Sequence, residues 1–428
     1  MIDALANAWR VPELRRKLFF TVGMLALYRL GAYIPLPGVN REFLAAGGVD
    51  TGENAITGLV GIFTGGAFNN LSIFALGIMP YITAAITMQL LTVAIPRLQQ
   101  LAREGETGQK KITQYTRYFT LGLSFIQSVS VVMLFRSGAL GGGVLANSTP
   151  LDLYLIVLTL TTGTMLIMWM GELISQYGIG NGISLIITAA IISQAPNGIR
   201  TLFEGGNVLT IVIIGLLALL IITAIVFVNE GQRRIPISYA KRQVGRRMTQ
   251  GGTTYLPMKV NMAGVIPIIF ASSLLIFPTA ILQFAGGDPD SFLVRFAQFF
   301  APGELPYLVL FAILIVLFTY FYTAVQFNPI EHADNLKKTG GYIPGIRPGQ
   351  PTAIYMNNVL TRITLFGALF LAAVAVVPYV ITGFMNVQIF LGGTSMLIVV
   401  GVALDFVRQL ESQLMMRNYE GFLRKQRI

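Results

Sequence analysis

The chain has 428 residues, 54% of them hydrophobic and only 11% charged, with a formal charge of +11 and a mean hydropathy of +0.68. Soluble globular proteins carry roughly 25% charged residues, so the composition indicates a polytopic membrane protein and excludes an ordinary soluble enzyme. With no cysteine and a single histidine, His332, disulfides, thiolate metal sites, cysteine nucleophiles and multi-histidine centres are excluded as well.

The chain opens with a mixed polar segment, Met1 to Lys17. The apolar run behind it is long enough to span a bilayer, so no cleaved signal peptide is expected. A span needs about 20 apolar residues. Ten stretches are candidates: residues 18–34, 71–95, 118–135, 151–171, 183–195, 208–228, 263–284, 306–327, 360–379 and 394–414. The fifth is short and gains length only if Gly178-Ile179-Gly180-Asn181-Gly182 dips into the interface. The ten divide into two sets of five, residues 1–196 and 197–428, with a junction at about 196–207. An odd number per half reverses the second half and permits an inverted repeat.

Residues 58–91 do not read as one helix. Gly58, Gly61, Gly65 and Gly66 punctuate the first part, and a helix interior loses roughly 1 kcal/mol per glycine relative to alanine. Asn69-Asn70-Leu71-Ser72 offers cap residues for a fresh start. From Ile73 a second apolar helix is expected to run to about Leu91, with Pro80 inside it. Broken backbone at membrane depth is tolerated where it is buried in protein or lines a cavity. The plain alternative is a loop followed by a kinked membrane helix.

Basic residues fix the orientation. With Arg10, Arg15, Arg16 and Lys17 in the cytoplasm, alternation places 25 of the 30 Lys and Arg on that side. Only Arg41, Arg136, Arg200 and Arg295 fall outside, and Arg29 lies in a span. Both termini are therefore expected to be cytoplasmic. The positive-inside bias explains most of the charge without nucleic acid, and no direct DNA binding is expected. Two cytoplasmic loops, 229–261 and 328–358, are long and basic. Orientation and anionic lipids account for their charge but not for their length. The length suits docking of a large acidic or RNA-containing partner.

Enzyme signals are missing. There is no phosphate-cradling Gly-x-x-x-x-Gly-Lys, no His-Glu-x-x-His and no Gly-x-Ser-x-Gly elbow. The chain is read as no enzyme, with no cofactor or metal. Glu331-His332 reads as a solvated loop pair. Glu172 and Asp405 read as terminal or paired charges rather than the midplane carboxylates of an ion-coupled transporter. Arg29 is costly in a span and reads as structural, paired or snorkelling. Thr83, Gln127 and Asn261 have interhelical hydrogen bonding as their plain role, worth about 0.6 kcal/mol each. Ile78 with Ile82, and Ile187 with Ile191, share helix faces by their i,i+4 spacing. That spacing is compatible with ordinary packing and with a gate. A secondary transporter with inverted repeats is the alternative reading, and a membrane-embedded enzyme a further one. The first requires a midplane carboxylate and the second a polar catalytic cluster, and neither is visible.

Several strings converge. Tyr28-Arg29-Leu30-Gly31-Ala32-Tyr33-Ile34-Pro35-Leu36-Pro37-Gly38 and Ser72-Ile73-Phe74-Ala75-Leu76-Gly77-Ile78-Met79-Pro80-Tyr81-Ile82 are followed by Gly178–Ser184 and Arg233-Arg234-Ile235-Pro236. Val260-Asn261-Met262-Ala263-Gly264-Val265-Ile266-Pro267, Gly340–Gly349 and Gly392-Gly393-Thr394-Ser395 complete the series. In this order, over nearly the whole chain, they resemble the SecY family, the channel subunits of the bacterial preprotein translocase. The resemblance implies an all-α polytopic membrane protein: ten transmembrane helices in two inverted five-helix halves around a central pore. It implies a channel that translocates unfolded preproteins across the bacterial plasma membrane and releases transmembrane segments sideways. The family's plug would map to about residues 58–70, with Gly61, Ile62, Phe63, Thr64, Gly65, Gly66, Ala67 and Phe68. Its pore ring would fall on Ile78, Ile82, Ile187, Ile191, Ile269 and Ile398. A lateral gate would open between the second and third spans on one side and the seventh and eighth on the other, with Thr83, Gln127 and Asn261 as polar contacts. Arg246, Arg247 and Arg347 would dock the SecA motor or the ribosome. SecE and SecG would be membrane partners, signal peptides and preproteins the cargo, and anionic lipids the surroundings.

Overall fold

The structure, a computed structural model, describes residues 11–39, 61, 63–136, 149–205, 208–239, 242–244, 247–249, 252–284, 304–385 and 392–425. The elements in order are α1 (Pro12–Gly31), α2 (Met79–Ala94), α3 (Pro96–Arg103), α4 (Glu106–Arg136), α5 (Pro150–Tyr177), α6 (Gly182–Gly205) and α7 (Val208–Glu230). A strand-forming insertion follows, with β1 (Gln232–Tyr239), β2 (Arg242–Val244), β3 (Arg247–Thr249) and β4 (Thr253–Lys259). Then come α8 (Ile266–Phe284), α9 (Leu305–Gln326), α10 (Pro329–Thr339), β5 (Gly341–Tyr342), α11 (Gln350–Met385) and α12 (Gly393–Lys425).

Each of the ten apolar stretches contains most of a helix or a large part of one. Among the described residues six helices are long and apolar enough to cross a bilayer by themselves: α5, α6, α7, α9, α11 and α12. The pair α2 and α3, bent by 99° at the break between them, makes a seventh if it is one span.

Several expected boundaries are corrected. Residues 73–78 are not helical; α2 begins at Met79, so Pro80 sits in the first turn instead of kinking the interior. A proline is well placed there, because its missing N–H has no partner to lose. Gly77, with φ +57°, turns the chain just before the helix. Asn69–Ser72 caps no helix either: the Ser72 hydroxyl accepts from the Phe74 N–H and donates to the Ala67 carbonyl inside a run of turns. The fifth stretch gains its length at the other end from that expected. Residues 178–181 bend, and α6 continues through Pro196 to Gly205, across the expected junction between halves. The helices α4, α11 and α12 also run well beyond their apolar centres.

The loop 328–358 is largely regular. Asn328 caps α10 by accepting the Ile330 N–H, Pro329 occupies its first turn, and Gly340 closes it with φ +77°. Glu331 and His332 therefore lie on a helix, and the His332 ring stacks on Phe327 at 4.4 Å. The other loop is an antiparallel hairpin, with β1 pairing β4 from Gln232↔Lys259 to Ser238↔Thr253. The two loops meet: β5 adds to the other edge of β1 through Ser238↔Tyr342 and Tyr239↔Gly341. Ile235 and Met258 bury with Phe327, Ile343, Met356, Val359 and Leu360 in one apolar cluster. The alternation along β1, with Ile235 and Ile237 inside and Arg234 and Pro236 outside, is what a strand with one wet face requires. One platform thus replaces the two separate loops.

Candidate functional site

The six isoleucines converge. Ile78, Ile82, Ile187, Ile191, Ile269 and Ile398 are each at most 5% exposed and belong to one buried apolar cluster. Ile78 immediately precedes α2 and Ile82 lies in its first turns; Ile187 and Ile191 come from α6, Ile269 from α8 and Ile398 from α12. Segments scattered over more than three hundred residues therefore supply one apolar contact zone.

A cavity of about 450 Å³ lies on the platform side of that zone, bordered by Asn181, Ser184, Asn261, Asp405, Arg408 and Gln409 among others. Arg408 spans its rim. It donates to the Asn229 carbonyl at 2.8 Å and pairs with Glu230 at 2.7 Å and with Asp405 at 3.6 Å. The i,i+3 partnership of Asp405 is the one its spacing predicts. Glu172 is likewise paired, in a two-pronged contact with Arg117 at 2.9 and 2.6 Å that ties α4 to α5.

Beyond the isoleucines lies the segment that precedes α2. Gly61, Phe63 and Thr64 are helical, and the chain then turns through Gly65 and Gly66, at φ +65° and +80°. Only glycine holds two such angles in succession at little cost. Phe63 and Ala67 enter the same apolar cluster as the isoleucines, while Phe68 packs with Leu71, Phe135 and Leu160 in a neighbouring one. Clearances are tight on every side. A Cβ on Gly65 would lie 2.9 Å from the Ala190 Cα, and one on Gly163 would overlap the Ile73 carbonyl. The stretch after α1 fastens the segment further, through Leu36 N–H to the Leu71 carbonyl at 2.9 Å and Ile73 N–H to the Ile34 carbonyl at 3.0 Å. Of the residues assigned to a plug, Ile62 lies outside the described residues.

Three layers therefore stack along α6. Ser184 borders the cavity, Ile187 and Ile191 join the apolar zone, and Ala190 and Ser193 receive the turned segment. From Ser184 to Ser193 the helix rises about 14 Å.

The expected gate residues are not bonded to one another. Thr83 donates to the Met79 carbonyl in its own helix. Asn261 donates to Asn229 at 2.9 Å and to the Gly264 carbonyl at 3.2 Å. Gln127 lies half-buried on α4. The helices on either side of the expected gate are in contact: α8 touches both α2 and α4. Among the described residues Asn261 Oδ1 ahead of α8, Ser273 Oγ on α8 and Thr323 Oγ1 on α9 are buried without a hydrogen-bond partner.

Of the docking arginines, Arg347 is exposed in the turn after β5. Arg247 opens β3, and Arg246 lies outside the described residues. Sequence reasoning missed the contacts of Arg29 and Tyr28 with the turned segment. The signal was there, since a charge within a span needs a partner.

Comparison with known proteins follows this geometry. The SecY family model matches residues 72–407. Protein translocase subunit SecY of Mycobacterium bovis is 47% identical over 445 residues, covering 99% of this chain and all of that one. Among solved structures, one concerns the plug domain of a SecY protein, which stabilises the closed state of the translocation channel and maintains a membrane seal. It superposes with TM-score 0.63 at 20% identity, covering 92% and 91% of the two chains. The idle yeast Ssh1 complex bound to the 80S ribosome gives TM-score 0.65 at 16% identity, covering 94% and 90%. The two structural likenesses are of fold; the family match and the full-length relative establish that the chain belongs to the SecY family.

Proposed function

We propose that this chain is a protein-conducting channel that moves unfolded preproteins across the bacterial plasma membrane and releases transmembrane segments sideways into the lipid. The observation that carries this reading is the stack along α6: a cavity with a half-polar lining, then the apolar zone of six isoleucines, then the turned segment. A narrow ring of branched hydrocarbon excludes water and ions, while its side chains yield around a passing chain. Residues 61–68 act as the plug. Ten helices cross the membrane, in inverted halves 1–196 and 197–428 with both termini cytoplasmic.

Lateral release uses the seam where α8 meets α2 and α4. Thr83, Gln127 and Asn261 set its polarity. A signal sequence leaving there gains roughly 25 cal/mol per Å² of apolar surface buried in lipid. Arg347 beside the sheet platform, with Arg246 and Arg247 of the same basic insertion as β1 and β4, docks a SecA motor or a ribosome, and the ribosome-bound yeast structure supports the second. SecE and SecG complete the complex. The chain performs no catalysis, and energy comes from the docked partner.

The test is reconstitution of the chain with SecE, SecG and SecA in proteoliposomes. ATP-dependent protease protection of a preprotein is the expected result. Uptake of a small solute coupled to an ion gradient, with no protection of the preprotein, would replace the channel by a transporter.

A further inference from the structure

The end of the half-helix before Gly65 is held by side chains of neighbouring helices. Arg29 of α1 donates from Nη1 to the Gly65 carbonyl at 2.6 Å and from Nη2 to the Tyr33 hydroxyl at 2.7 Å. Its guanidinium also lies 4.7 Å above the Tyr33 ring. Tyr28, one residue earlier, donates its hydroxyl to the Thr64 carbonyl at 3.3 Å. Ser193 of α6 reaches the same Gly65 oxygen at 3.4 Å, secondary to its own 2.7 Å bond to the Ala190 carbonyl. The last carbonyls of a helix carry partial negative charge. A guanidinium beside them makes a charge-assisted bond, stronger than one between neutral groups.

We propose that Arg29, with Tyr28, is the latch that holds the plug closed and so sets how strong a signal must be to open the channel. The latch rests on reading residues 61–68 as a plug. The geometry explains why an arginine fits. Its planar fork serves the plug carbonyl and Tyr33 together, so once the plug leaves, the charge stays anchored to Tyr33 and does not follow it. A lysine is a point charge without that fork. Breaking the Gly65 contact is thus part of opening, whereas the Tyr33 contact is common to both states.

The experiment measures resting ion leak and export of a signal-defective preprotein in proteoliposomes holding the channel with its membrane partners. Wild type, Arg29→Met, Arg29→Lys, Tyr28→Phe and a deletion of residues 61–66 are compared. Arg29→Met is expected to raise leak about tenfold, or ~1.4 kcal/mol, the net worth of one hydrogen bond to a charged group. Arg29→Lys should fall between Met and wild type, and Tyr28→Phe should raise leak two- to threefold. Where Arg29→Met does not fold, Tyr28→Phe, which removes a single oxygen, decides. If the deletion raises leak while the single substitutions leave leak and signal stringency unchanged, the latch is overturned and the plug stands. If the deletion itself leaves leak unchanged, the plug reading fails and the latch with it.

Discussion

Two insertions between helices behave in opposite ways. The segment 63–78 before α2 has no strand ladder; short-range bonds such as Ala67 N–H to the Thr64 carbonyl and Gly77 N–H to the Phe74 carbonyl close its turns, and neighbours crowd it, with Gly65 and Gly66 within contact distance of Ala190 and Gln194. The hairpin 232–259 carries its own seven-pair ladder and turns most of β1 and β4 to water. The first is a run of local turns wedged among other helices; the second is an extended ladder with one wet face. On the proposed reading, a plug that must come out of the way is held at its end by side chains belonging to other helices. On the same reading, a surface that a partner docks on keeps its shape through its own ladder.

The sharpest way to break this contrast is to crowd the first region. A side chain at Gly163 meets the Ile73 carbonyl with backbone on both sides. Gly163→Leu is therefore expected to cost about 3 kcal/mol or more, read as a large fall in the thermal unfolding midpoint of the purified protein. On the hairpin, Tyr255→Leu changes an exposed strand residue and should stay within about 0.5 kcal/mol. Comparable losses at both sites would erase the distinction.

A smaller effect is expected where the segment meets the isoleucines. Ile398 is fully buried, and Ile398→Asn or Ile82→Asn places an amide without partners there, at about 1–3 kcal/mol. Resting ion leak should rise and demands on the signal sequence should relax; an unchanged leak in both variants would count against the waist. Smallest in stability is Arg347→Glu. Its exposed position predicts a shift under about 0.5 kcal/mol, together with a severalfold drop in SecA-driven export and intact membrane insertion. Normal export would remove Arg347 from the docking surface.

Much of the helical plan is legible in the sequence because each apolar stretch is long and continuous. Boundaries are less so. Pro80 reads as a kink until the turn at Gly77 shows it to be a start. Asn328-Pro329 reads as a loop although cap followed by proline is equally a helix opening. The extensions of α4, α11 and α12 are polar continuations that hydropathy does not see. The convergence of six isoleucines from four helices and their approaches is a tertiary fact: i,i+4 spacing fixes a face but not what it meets, and the resemblance alone supplied the set. The union of the two basic loops in one sheet was not legible, since β5 is only two residues long.

The most direct test of the central claim uses the chain's lack of cysteine. Single cysteines placed at Ile82, Ile191 and Ile398 are crosslinked to a secretory chain stalled in mid-passage, with Leu216 on the exposed face of α7 as the control. Crosslinks from all three isoleucine positions and none from Leu216 are predicted. A stalled chain that crosslinks to Leu216, or to none of the three, would contradict a pore through the isoleucine waist.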